Sequence, residues 1–145
     1  MGVVCTCGVI VDAFSDDNNV RFEGQTGTTE GDLTYLANVC STTLETSTLS
    51  LNFEDEETGQ NSFFFEANEI TSVECNQEGQ NCVITVTGTG LVNGEEFPFE
   101  AVFRDIVEQA QNDNVQSFVI TGFFDQNGAA PVPQGSIQNQ GCQEL

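Results

Sequence analysis

Six cysteines and 23 acidic side chains carry nearly all the chemistry open to this 145-residue chain. Histidine and lysine are absent, and the two basic residues are Arg21 and Arg104. General acid–base catalysis leans most often on histidine. An active cysteine needs a base or a positive neighbour to form its thiolate, and none stands in sequence beside Cys5, Cys7, Cys40 or Cys142. Two carboxylates can hydrolyse a glycosidic bond unaided, but among 23 acids some pair falls at a suitable spacing by chance. No pair is singled out, and the chain reads as a non-enzyme.

Thiol oxidation is the chemistry that remains. Cys75 and Cys82 enclose six polar residues, Asn76 to Asn81, between two strand-like segments. Read as a loop, they place the two cysteines opposite each other at its base, where a Cα separation of about 4.4–6.8 Å permits a disulfide. An intrachain Cys75–Cys82 bridge is therefore expected. Cys5 and Cys7, two apart on an extended segment, point the same way and are too far apart to pair comfortably. Cys40 and Cys142 are left as their partners within the chain. Two readings follow. An N-terminal arm cross-links subunits through Cys5, Cys7, Cys40 and Cys142, or these four close two bridges within one chain. A zinc centre from the same four lacks both the usual C-x2-C spacing and a histidine.

The acidic stretches suggest a second chemistry. Calcium takes six to eight oxygen ligands, and Asp16, Asp17, Asp125 and Asn127 are the candidate ligands. No complete calcium-loop motif is present, and Asp, Asn and Gly are also the ordinary residues of turns. No other cofactor is called for. The net charge of −21 repels nucleic acid and anionic membranes. The apolar run Val3–Val11 is too short to span a bilayer, and no charged start marks a signal peptide. Six cysteines point to an oxidising location, outside the cell or on a cell or spore surface.

These residues must be positioned by strands, because almost every periodic segment alternates with period two. Gly8–Phe14, Val20–Gln25, Asp32–Val39, Thr46–Phe53, Asn61–Ala67, Glu69–Cys75 and Val115–Phe124 read as strands. Asp16–Asn19 reads as a turn and Asp105–Gln111 as a short helix or crossing loop. Asn93-Gly94 is the preferred type I′ hairpin turn, in which both central residues need positive φ. It sets Val92 opposite Glu95, Gly90 opposite Phe97, Gly88 opposite Phe99 and Ile84 opposite Phe103, large over small on one face. Twelve Phe and no Trp make a phenylalanine core. The expected fold is all-β: one two-sheet antiparallel β-sandwich, jelly-roll-like, over residues 9–145, preceded by an extended cysteine-bearing arm, residues 1–8.

The segment Val86–Gly94, followed by Phe97–Ala101 and Phe118–Ile120, resembles β-sandwich stretches of bacterial surface proteins. With Cys5-Thr6-Cys7 at its start, the plan of the chain resembles the subunits of bacterial endospore appendages. That resemblance implies a small jelly roll whose arm cysteines disulfide-link successive subunits. The function expected is a structural, self-assembling filament or coat subunit whose partner is itself. The alternative is a monomeric extracellular module that binds a glycan or protein with calcium aiding a loop.

Overall fold

The computed structural model describes residues 5–106 and 112–140. Ten strands form one antiparallel sheet: β1 (Gly8–Phe22), β2 (Thr29–Cys40), β3 (Thr48–Asp55), β4 (Phe63–Glu78), β5 (Asn81–Val92), β6 (Glu95–Asp105), β7 (Asp113–Ile120), β8 (Phe124–Asp125), β9 (Ala130–Val132) and β10 (Ile137–Gln140). Neighbours in sequence pair in space from β1 through β8, and β8 returns to β1 through Arg21 opposite Asp125 and Phe22 opposite Phe124. The sheet thus closes into an eight-stranded up-and-down barrel. β9 adds to β7 and β10 to the start of β1.

This corrects the expected two-sheet sandwich and its jelly-roll order. Inward and outward residues alternate along strands in both architectures, so the pattern alone does not reveal closure. Closure depends on the middle of β1. Residues Asp16–Asn19 are not a turn between two strands. Asp16 and Asp17 form a bulge at which the register with β2 shifts between Ser15 and Asn18, while Asn18 and Asn19 pair with Gly31 and Glu30. Asp17 there has φ 57°, a left-handed conformation that Asp tolerates better than most residues. The bulge bends one long strand, so that its first half meets β10 and its last residues meet β8.

The interior is solid. Tyr35, Phe53, Phe65, Phe103 and Phe118 are fully buried, with Leu33, Leu51, Ile84 and Ile120 among them. An eight-stranded barrel is about wide enough for side chains to fill. Phe65 lies edge-on to Phe99 and Phe118, with centroids 5.3 and 5.9 Å apart. The buried Tyr35–Gln126 pair is well satisfied. Tyr35 Oη donates to Gln126 Oε1 at 2.5 Å, and Gln126 Nε2 donates to the carbonyls of Val115 and Gly128. Burial pushes the Tyr35 phenol well above its ordinary pKa, so it stays a neutral donor.

The β5–β6 hairpin has the register that Asn93-Gly94 dictates, from Val92 opposite Glu95 to Val83 opposite Arg104. Asn93 and Gly94 have φ 53° and 83°. Gly88 and Gly90 are gaps that the fold requires. A Cβ at Gly90 would overlap the Phe65 ring, and one at Gly88 would overlap the Glu69 carbonyl. Asn61–Ala67 and Glu69–Cys75 are not two strands: β4 runs through both, with bulges near Asn68 and Thr71. The helix-or-loop segment Asp105–Gln111 lies mostly outside the described residues; Asp105 itself ends β6.

Candidate functional site

The cysteines are joined within the chain. Cys5 bonds Cys40, and Cys7 bonds Cys75. Cys82 is also disulfide-bonded, and no described cysteine is a free thiol. Cys142 lies outside the described residues. Two expectations change. Cys75 pairs with Cys7, not Cys82, because the residues between them are strand rather than loop. β4 continues to Glu78 and β5 begins at Asn81, so Gln77 stands opposite Cys82 and Ile84 opposite Cys75. Cys5, Cys7 and Cys40, expected as links to another subunit, are bonded within the chain instead. Gly8 is paired with Cys40, and Ser41 N–H donates to the Cys7 carbonyl at 2.8 Å, which lays the N-terminal segment along the end of β2. The two bridges close 35- and 68-residue separations.

Three acidic residues gather at one rim. The β1 bulge carries Asp17, β2 supplies Asp32, and Glu56 follows the end of β3. Their carboxylate oxygens lie within 4.8 Å of one another. Three local features hold them there. Asp17 N–H donates to Asp32 Oδ1 at 3.2 Å. Glu56 N–H donates to the Glu30 carbonyl at 3.0 Å. The turn after β3 is wound around the Asp55 carboxylate, which accepts from the backbone of Glu57, Thr58 and Asn61 and from the Thr58 hydroxyl. Burial pushes Asp55 up, but those four donors outweigh it and hold the carboxyl at about 2.

Glu56 is driven the other way. Hydrogen bonding to Asp32, then burial, then Asp17 raise its pKa to about 7. Three carboxylates this close either share a proton or share a cation. A hard divalent ion such as calcium fits the donor set, with water completing its shell. Of the four residues singled out by sequence, only Asp17 belongs to this group. Asp16 sits beside it on the bulge. Asp125 accepts from the Asn127 N–H at 2.8 Å in a local turn. Asp32 and Glu56 do not stand out in the sequence, because the bulge and two strand pairings, not sequence proximity, bring them to Asp17.

A proton on Glu56 predicts a pH profile. Its folded pKa lies above its ordinary value of 4.5, so its contribution to stability is fully present below about pH 4.5 and is lost as pH rises through about 7. In chelator, the melting temperature should fall across that window. Millimolar calcium should flatten the fall, with an affinity on the order of 10⁻⁴–10⁻³ M, as for exposed extracellular sites. Glu56→Gln should remove the pH step and the calcium response together. A profile indifferent to that substitution would show that the cluster binds neither.

The outer wall has its own character. Ile10 and Phe14 on β1, Leu36 on β2, Phe64 on β4 and Leu91 on β5 are the large exposed apolar side chains among the described residues. Phe14, Leu36 and Phe64 are each about half exposed, at 50, 49 and 53%. All five point outward, from β1, β2, β4 and β5. Asp12 opposes Leu36 and Thr34 opposes Phe14, so Leu36 is a diagonal neighbour of Phe14, and likewise of Ile10. Ser50 and Asn52 of β3 lie between this group and Phe64, with Leu91 beside Phe64 on the next strand. No such side chain is exposed on β6–β8.

A surface groove of about 620 Å³ opens where β4 parts from β3, between Leu44, Glu45, Glu69 and Ile70. Hydroxyls of Ser41, Thr42, Ser47 and Thr71 complete its lining with Asn68. Among the described residues no helix is long and apolar enough to cross a membrane. Comparison with known protein families, with characterised proteins and with solved structures gave no match.

Proposed function

We propose that this chain is a non-catalytic, disulfide-hardened β-barrel module that works outside the cell and binds a partner through the outer wall of β1–β5. One observation carries the reading: the N-terminal cysteines are spent on bridges within the chain. A subunit that cross-links its neighbours needs a thiol to offer, and the described cysteines offer none. The filament or coat reading thereby loses the covalent link on which it was built. Disulfides of this kind persist in oxidising surroundings, which supports an extracellular or surface location. A closed barrel also removes most of the open strand edges through which subunits add to one another.

The absence of histidine and lysine and the packed interior argue against an active site in the barrel. The exposed apolar side chains supply the contact surface, and the Asp17–Asp32–Glu56 cluster lies at the rim beside it. Non-reducing electrophoresis with sedimentation of purified protein tests the reading. A single monomeric species is expected with and without reductant. A ladder that collapses on reduction would restore the cross-linked subunit and remove this proposal.

A further inference from the structure

An exposed leucine needs no explanation, since folded proteins show much apolar surface. Five large apolar side chains on one half of a barrel, and none on β6–β8, do call for one. Outward positions of a sheet with one solvated face are normally polar. Here the outward rows of β1–β5 hold Ile10, Phe14, Leu36, Phe64 and Leu91, spaced by the short neutral side chains of Thr34, Asn38, Ser50 and Asn52. Acids surround and interrupt them. Asp12 opposes Leu36, Glu66 opposes Leu91, and the next outward row carries Asp32 opposite Glu54. The chain has only two basic residues, and Arg104 is held by Glu78 at 2.6 Å.

The charge pattern selects the occupant. A second copy would bring Asp12, Glu66 and Glu54 against carboxylates of a molecule that also carries −21, and like charges across an interface cost affinity. An anionic membrane is repelled for the same reason. A neutral glycan would leave the acidic border without a counterpart. Building on the proposed binding function, we infer that this wall docks a basic, amphipathic polypeptide segment. Its apolar side chains would cover Phe14, Leu36 and Phe64, and its Lys or Arg side chains would meet Asp12, Glu66 and the Asp32–Glu54 row. An extended segment that alternates basic with apolar residues places the two kinds on opposite faces. Its apolar face then lies on the barrel, and its long basic side chains reach around to the rim.

The test separates this pattern from attraction by charge alone. Two short synthetic peptides of equal length and charge, one alternating Lys with Leu and the other Lys with Ser, are titrated calorimetrically into the full chain. The Lys–Leu peptide should bind at least about tenfold more tightly, equivalent to about 1.4 kcal/mol. The double substitution Leu36→Asn with Phe64→Asn should erase that difference while leaving the residual, salt-sensitive binding of the Lys–Ser peptide. Both side chains point outward, so an unchanged melting temperature shows that the barrel is intact. If the double variant fails to fold, Leu36→Thr alone should reduce the preference severalfold on a strand-compatible background. Equal affinity for the two peptides, or a preference that survives these substitutions, overturns the inference and leaves a monomeric module intact. Self-association before any peptide is added overturns the underlying binding reading instead.

Discussion

Reduction of the two described disulfides lowers the stability of the barrel by several kcal/mol without changing its mass on a sizing column. In the chain-entropy account a cross-link stabilises by constraining the unfolded chain, and loops of 35 and 68 residues correspond to about 4 kcal/mol each. The two loops overlap in sequence, so their effects do not simply add. Cys7→Ser with Cys75→Ser should remove about 2–4 kcal/mol, read as a lower midpoint in urea with intact secondary structure before the transition. A midpoint unchanged by the pair would mean that the bridge constrains nothing the strands do not already hold. Cys5→Ser with Cys40→Ser should cost somewhat less, because its loop is shorter.

The second large effect is expected at a residue with no side chain. Gly88 lies where the first β4 bulge brings the Glu69 carbonyl and the Ile70 backbone over β5, and any Cβ there meets backbone atoms. Backbone cannot rotate away as a side chain can. Gly88→Val should therefore cost about 3 kcal/mol, at the upper end of overpacking. Gly90→Ala should cost less, since it adds a single methyl group and the only backbone atom among its closest contacts is the Glu66 carbonyl oxygen, the others belonging to the Phe65 ring. Denaturant unfolding of the two variants gives the order directly. A Gly90 variant less stable than the Gly88 variant would contradict this account of the β4–β5 contact.

Those two glycines also mark how far the sequence could be read. Asn93-Gly94 dictates a turn type, the turn type dictates a register, and the register put Gly88 and Gly90 opposite Phe99 and Phe97. That chain of reasoning is local, so it holds. What crosses between distant strands was not legible. Period-two alternation describes a barrel and a sandwich equally, and the closing contact is two residue pairs between β1 and β8. Asp16–Asn19 has the composition of a turn, and only its tertiary partners make it a bulge. The Cys75–Cys82 pairing failed for a related reason. Gly79 and Gln80 make the turn, and the polar residues on either side belong to strands, which moves Cys75 out of line with Cys82. The Asp17–Asp32–Glu56 cluster is one-third visible: Asp17 stands out in an acidic run, while Asp32 and Glu56 join it only through the β1–β2 and β2–β3 pairings.

A ring whose first stave touches its last cannot be finished until that last stave has been made. Arg21 waits for Asp125 and Phe22 for Phe124, so one border of the nascent sheet stays open while the rest is assembled. The bridges to Cys40 and Cys75 involve no residue of β8, so they can hold that first stave in position whether or not its final neighbour is in place. Oxidation would then serve the making of the molecule as much as its endurance afterwards.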